Sequence, residues 1–259
     1  MDQKILSIGK VQVPALGLGT YGLMGKDGER AIEHALSIGY RHIDTAGFYG
    51  NEDVVGNAIR NSGIPRHEIF ITTKVWPSGF SRKRFIPAVQ ASLKKLKVDS
   101  IDLLLLHWPA DAETNKLATG LLNECLDLQY TMLAGVSNFS LSQLKEAQKQ
   151  MPVFCNQVEY SPYKNNSGLL QYMQQQNMLL TAYSPLARGK VLREPVIQNL
   201  AKKHQKMPSQ IVLRWLMQQD NVAAIPKAGS QKHSLENLDI FGFELSDEGM
   251  RDVFGLGTK

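Results

Sequence analysis

Residues 17–22 read GLGTYG, and the acidic Asp44 of RHIDT (41–45) follows about twenty residues later. A G-x-G-x-x-G with an acidic residue at that distance is the fingerprint of a dinucleotide-binding turn in a doubly wound sheet. Such a turn works only where the strand opens directly into a helix, so that free N–H groups of the first turn meet the pyrophosphate. Here LMGKD, residues 23–27, intervenes before the helical pattern that starts near Asp27. The context fails, and the glycines read instead as points where backbone passes closely at a strand end. Asp44 is then free for another use.

Outward from this stretch, short apolar runs alternate with amphipathic ones. ILSIG (5–9) and VQVPA (11–15), around Gly9 and Lys10, suggest a small N-terminal hairpin. Eight strand candidates follow: ALGLG (15–19), HID (42–44), IFITTK (69–74), IDLLLLH (101–107), LAGVS (133–137), FCNQVE (154–159), LLTAYS (179–184) and VAAIP (222–226). Between them, residues 27–39, 51–63, 81–98, 140–151 and 167–177 carry helical periodicity, with Gly39 and Gly63 as stops and Asp27, Ser81 and Ser140 as caps. Strands that regularly follow helices run parallel, because each crossover helix returns the chain in the same direction. Eight such units in one domain, 1–259, make a (β/α)8 TIM barrel with a short N-terminal β-hairpin.

With 43% hydrophobic and 20% charged residues, a chain of 259 can bury a full core. Its net charge of +5 is scattered through mixed-sign segments such as SRKRF (81–85), which describes a solvated surface and argues against a nucleic-acid partner. MDQKILSIGKVQV (1–13) lacks the apolar core of a signal or anchor, and IDLLLLHWP (101–109) is too short for a bilayer, so no membrane partner is expected. Cys125 and Cys155 are not spaced as a metal or redox pair and read as buried, reduced thiols of a cytoplasmic protein. His34, His42, His67 and His204 fall mostly in helical or turn contexts without ligand spacing, so no metal is expected. A small-molecule partner and a monomeric state are expected.

Asp44, Lys74 and His107 end three consecutive strands, and Tyr49 follows Asp44 in the next loop. All four would meet on the C-terminal rim, where barrel chemistry is done. Singly, each has an ordinary structural reading: a strand-end Asp or Lys is a rim charge, a loop Tyr packs on the surface, and a lone His is structural.

Seven ordered motifs extend this pattern over most of the chain: GYRHIDTAGFYGNEDVVG (39–56), ITTKVW (71–76), LLHWP (105–109), GVSNF (135–139), NQVEYSPY (156–163), AYSPL (182–186) and IPKAGSQKHSLEN (225–237). Together they resemble the aldo-keto reductases, in particular compact bacterial reductases of 2,5-diketo-gluconate and methylglyoxal. The resemblance implies a (β/α)8 barrel that binds NADPH without a dinucleotide fold. It makes Asp44, Tyr49, Lys74 and His107 a catalytic tetrad. Carbonyl reduction needs a hydride from a cofactor, since no side chain can donate one. It also needs a proton, and a phenol with a pKa near ~10 is a poor acid at neutral pH. A neighbouring ammonium favours the phenolate, so Lys74 is expected to lower the pKa of Tyr49, with Asp44 fixing Lys74 and His107 bonding the substrate carbonyl.

The resemblance also implies that Ser137, Asn138 and Gln157 hold the nicotinamide carboxamide, that Tyr183 stacks on its ring and that Ser184 to Leu186 line the pyrophosphate. Gly19, Thr20 and Asp44 would lie beside the cofactor near its ribose. In the last motif Lys227, Glu236 and Asn237 fit, but Ala228 and His233 stand where the family usually has Ser and Arg, with Lys227, Ser230 and Lys232 able to compensate. Arginine is the better fork for a 2′-phosphate, so NADPH is expected with NADH as the alternative. Met132 and Ala134 also depart from the family, which implies altered packing under the site. The segment ADAETNKLATG (110–120) is short and lacks a tryptophan often seen there.

Tyr21, Trp76 and Trp108 stand just beyond strand ends and would wall the mouth of a substrate pocket. Many relatives carry a long closing tail, whereas this sequence ends at Lys259 soon after LSDEGMRDVFGLG (245–257), so an open pocket for small carbonyl compounds is expected. The function implied is NADPH-dependent reduction of aldehydes and ketones, small dicarbonyls or keto-sugars among them, with Tyr49 as general acid. The rival class is a cofactor-sensing subunit with little turnover.

Overall fold

A computed structural model describes residues 4–258. Strands β1 (Ile5–Ile8) and β2 (Val11–Pro14) pair antiparallel around Gly9, whose φ of +61° is the left-handed geometry that a tight hairpin asks of its turn residue. Eight strands follow: β3 (Leu18–Gly19), β4 (His42–Asp44), β5 (Phe70–Val75), β6 (Ile101–Leu106), β7 (Thr131–Ser137), β8 (Cys155–Glu159), β9 (Leu179–Tyr183) and β10 (Val222–Ala224). Each pairs parallel with its sequence neighbour. Parallel bridges from Leu16 to Ala224 and from Gly19 to Lys227 join the first strand to the last and close the barrel. All eight expected strands form, some shifted by one to three residues at an end.

Among the described residues ten α-helices surround them: α1 (Gly25–Ser37), α2 (Glu52–Ser62), α3 (Phe85–Leu96), α4 (Ala112–Asp127), α5 (Leu141–Gln148), α6 (Ser167–Gln175), α7 (Pro195–His204), α8 (Pro208–Met217), α9 (Gln231–Leu238) and α10 (Asp247–Phe254). Helices outside and side chains inside bury both faces of the strands, which is why β6 can read IDLLLL with five of its six residues buried. Ser140 caps α5 through a capping box with Gln143, as its sequence position implies.

The other two caps differ. Helix α1 starts at Gly25, placing Asp27 in its first turn, where the carboxylate faces the positive helix end. Helix α3 starts at Phe85, four residues after Ser81, whose carbonyl and not its hydroxyl receives the N–H groups of Arg84 and Phe85. Pro87 gives the reason: a helix begun at residue 82 would put proline in its interior, whereas a start at Phe85 leaves it in the first turn. Met132 is also a correction, since at 69% exposure near the far end of β7 it does not pack under the rim. Residues 110–120 run into α4, capped by the Asp111 carboxylate.

The glycines of the opening stretch are close-approach positions. A Cβ on Gly17 would lie 2.8 Å from the buried His42 ring, and one on Gly19 would lie 2.6 Å from the Ile225 carbonyl oxygen. His42 itself sits in β4, between the Pro14 carbonyl and the Thr72 hydroxyl. Cys125 and Cys155 are buried free thiols, pushed up to about 12 by burial. No helix among the described residues is long and apolar enough to cross a membrane.

Candidate active site

The rim is assembled from adjacent strand ends. Asp44 closes β4, and Lys74 lies next to the end of β5 with its side chain fully buried. The Lys74 ammonium donates to Asp44 Oδ1 at 2.6 Å, to the Thr45 carbonyl at 2.7 Å and to Tyr49 Oη at 3.4 Å. Asp44 Oδ2 accepts from Gln157 Nε2 at 2.7 Å, so both carboxylate oxygens are engaged. With its oxygen facing the cation as acceptor, the Tyr49 hydroxyl keeps its own proton available to another partner.

Tyr49 ends a 3₁₀ turn, Gly47–Tyr49, and Gly50 at φ +68° lets the chain reverse after it. Buried Asn51 fastens this turn: its Nδ2 donates to the carbonyls of Thr20 and Leu23 at 2.8 and 2.9 Å, and its Oδ1 accepts from the Thr45 hydroxyl. Glu52, also buried, accepts from Thr73 Oγ1 at 2.7 Å, next to Lys74. Neither role was assigned from the sequence, although both residues sit in the GFYGNE stretch beside Tyr49.

Burial acts against the Lys74 ammonium, but the Asp44 carboxylate and Tyr49 outweigh it, so the group stays charged above the usual lysine range. For Tyr49, burial is the largest effect and raises the phenol above its ordinary value; Lys74 pulls it down and is outweighed, with Asp44 adding to the rise. The expected direction of the Lys74 effect therefore holds, but the expected net lowering does not, because burial of the phenol outweighs the cation and the carboxylate that fixes the cation adds to the rise. His107, just past β6, is pushed down to about 3 by burial and then by Lys74, so its imidazole is neutral at pH 7. Among the described residues its Nδ1 is buried without a hydrogen-bond partner.

The residues expected around a nicotinamide cluster beside this centre. Ser137 Oγ donates to the Gln157 carbonyl, Asn138 Nδ2 donates to Ser137 Oγ and the His107 carbonyl, and Tyr183 Oη donates to Asn138 Oδ1 at 2.8 Å. Gln157 Oε1 accepts no hydrogen bond among the described residues, and the Tyr183 ring is only partly buried. An unpaired amide oxygen beside an accessible ring fits a planar ring carrying a carboxamide. Downstream, Leu186 (φ −92°, ψ 10°) precedes Ala187 at φ +47°, whose N–H donates to the Ser184 carbonyl and closes a tight loop. Ser184 at φ +48° brings the chain into that loop. Thr20 anchors to the Asp44 carbonyl through both its N–H and its hydroxyl, which sets Gly19 and Thr20 against the same centre.

The last motif divides. Lys227, Lys232 and His233 are exposed around the start of α9, and the Lys227 Nζ lies 3.1 Å from where a Cβ of Gly22 would be. Three exposed basic side chains at a helix N-terminus suit a phosphate monoester. The Ser230 hydroxyl is occupied as the α9 cap, Ala228 is buried, and Asn237 is buried against Tyr40. Glu236 lies 3.8 Å from Lys232.

Aromatic rings form the mouth. Tyr21, 64% exposed, stands edge-on to Tyr49 at 5.1 Å, and Trp76 stands edge-on to His107 at 5.0 Å. Trp108 is exposed and makes no ring contact with them among the described residues. Phe48, unassigned from the sequence, stacks on Trp76 with ring centroids 3.9 Å apart.

A buried cation behind a phenol, with a neutral imidazole across from it on the C-terminal rim of a (β/α)8 barrel, is an arrangement suited to acid–base chemistry on a small molecule. Residues 15–256 match the aldo/keto reductase family, and the chain belongs to that family. It is 36% identical over 250 residues to methylglyoxal reductase DkgB of Escherichia coli O157:H7, covering 94% of this chain and 93% of that protein. It is 37% identical over 249 residues to glyoxal reductase of Bacillus subtilis (strain 168), covering 95% and 90%. The crystal structure of an aldo/keto reductase from Brucella melitensis superposes with a TM-score of 0.92 at 34% identity, covering 98% of this chain and 100% of that one. The protein is therefore an oxidoreductase that uses a nicotinamide cofactor on carbonyl compounds.

Proposed function

We propose that this protein reduces aldehydes and ketones to alcohols with NADPH, acting on small dicarbonyls or keto-sugars, and that Tyr49 supplies the proton. The observation that carries the reading is the buried Lys74 ammonium, held by Asp44 at 2.6 Å and reaching Tyr49 Oη at 3.4 Å. A bound reduced nicotinamide supplies the hydride for the carbonyl carbon. The raised pKa of Tyr49 suits the other half of the reaction. The phenol is fully protonated at neutral pH, and the oxygen it serves becomes an alkoxide, a far stronger base than phenolate. Lys74 stabilises the phenolate left behind, and a neutral His107 donates a hydrogen bond to the substrate oxygen without competing as a cation.

Ser137, Asn138, Gln157 and Tyr183 would hold the nicotinamide, Gly19 and Thr20 its ribose, and Ser184 and Leu186 the pyrophosphate. Lys227, Lys232 and His233 would meet the 2′-phosphate, with Ser230 and Asn237 shaping the start of α9 and Glu236 steadying Lys232. Tyr21, Trp76 and Trp108 would wall the mouth. The names of the relatives, methylglyoxal and glyoxal reductases, support a small dicarbonyl substrate.

Loss of NADPH absorbance on adding methylglyoxal or glyoxal to the purified protein tests the activity. Tight cofactor binding with no oxidation across a carbonyl panel would replace it with the sensing role. For the cofactor, His233→Arg is expected to lower the NADP⁺ dissociation constant relative to that of NAD⁺. An unchanged ratio would remove His233 from the phosphate site.

A further inference from the structure

The His107 ring is held in an uncommon way. Histidines at reactive sites are oriented by the hydrogen bond that the second ring nitrogen makes. Among the described residues neither nitrogen of His107 makes one, and Nδ1 is buried without a partner. Only the backbone is tied: its N–H donates to the Val75 carbonyl and its carbonyl accepts from Asn138 Nδ2. Three rings surround the imidazole instead, all nearly perpendicular to it: Trp76 at 5.0 Å and 87°, Tyr49 at 5.6 Å and 74°, and Phe48 at 6.2 Å and 84°. Edge-to-face packing at such separations has a preferred geometry, so it can fix a ring plane.

Trp76, the nearest of the three, has one stacking partner of its own. Phe48 lies on it at 3.9 Å with the planes 15° apart. Phe48 is 55% exposed, so burial in the core does not account for a large apolar side chain at this point. It also directly precedes Tyr49 in the same 3₁₀ turn, so one turn presents one ring to the indole and the next to the imidazole.

We propose that Phe48 is a positioning residue for His107, acting through Trp76: its ring clamps the indole, and the edge of the indole sets the imidazole plane that presents Nε2 to the substrate oxygen. This rests on His107 contacting that oxygen, as argued above. The clamp also keeps water from the ring, consistent with its depressed pKa. The titratable groups facing the ring are Lys74 from β5 and the Tyr49 phenol, and neither is altered by changing Phe48.

The test is Phe48→Ala, with Phe48→Tyr as the conservative control, read three ways. Nuclear magnetic resonance of ¹⁵N-labelled histidine, assigned with His107→Phe, follows the His107 titration. Steady-state kinetics with methylglyoxal separates kcat from KM, and fluorescence gives the NADPH dissociation constant. In Phe48→Ala the His107 titration is expected to rise from about 3 toward its ordinary 6.5, and kcat to fall ~10- to 100-fold, with KM changing less. NADPH affinity stays unchanged, and Phe48→Tyr restores both the titration and kcat. An unmoved His107 titration in Phe48→Ala, or a rise in KM alone, would overturn the proposal and reduce Phe48 to a pocket wall. If the wild-type protein turns over no carbonyl, the proposed function fails, while the titration still decides whether Phe48 positions the ring.

Discussion

Acid is expected to unfold this protein partly through one imidazole. His107 is 7% exposed and is pushed down to about 3, chiefly by burial and then by Lys74, against an ordinary 6.5. The unfolded chain takes up that proton near pH 6.5, while the folded chain resists it until about 3. Protons therefore favour unfolding throughout that window, and the contribution of the neutral ring is complete above pH 6.5 and lost as pH falls. At ~1.36 kcal/mol for each tenfold change in proton affinity, the loss amounts to roughly 5 kcal/mol at most, a large share of the ~5–15 kcal/mol that holds a typical protein folded. The perturbation that isolates it is His107→Phe, which fills the same aromatic surroundings without titrating. Urea unfolding at a series of pH values between 7 and 3 measures the stability of both forms. The gap between them should narrow or reverse against the wild type by several kcal/mol as pH falls. Parallel curves across the window would refute the withheld proton, and with it the neutral imidazole assigned to the site.

Two further substitutions probe the frame around it. Lys74→Met removes the one group that pulls the Tyr49 phenol down, so the phenolate absorbance of Tyr49, identified by difference from Tyr49→Phe, should appear at still higher pH. It also leaves Asp44 buried without its cation, at a cost of ~3–5 kcal/mol in unfolding free energy; a phenol titration that does not move would deny that the cation acts on Tyr49. Gly19→Ala places a methyl 2.6 Å from the Ile225 carbonyl oxygen at the closing seam, and a lower melting temperature is expected, corresponding to ~1–3 kcal/mol. An unchanged melting temperature would show that the seam can open without cost.

Much of this was legible because it depends on local pattern. The apolar runs mark the strands regardless of what packs on them, and the spacing of Asp44, Lys74 and His107 at successive strand ends follows from the periodicity of the barrel. The caps were less legible: Ser140 has its Gln143 partner three residues on, but Ser81 looked equivalent until the constraint from Pro87 displaced the helix start. The net direction at Tyr49 lay beyond the sequence, because it is the balance of burial and the Asp44 charge against the Lys74 cation. The Phe48 stack was hidden for a similar reason. Trp76 is 28 residues away in the chain, and the contact arises only when β4 and β5 pair and align the loops that follow them.

The most direct measurement is single-turnover reduction of methylglyoxal by the NADPH-loaded protein, comparing wild type with Tyr49→Phe. If the phenol gives up the proton under the influence of Lys74, the variant binds NADPH as tightly as the wild type, while its rate of cofactor oxidation falls by ~10²- to 10⁴-fold. Oxidation at a near-normal rate in Tyr49→Phe would mean that the proton comes from elsewhere and that the Lys74 to Tyr49 contact is structural.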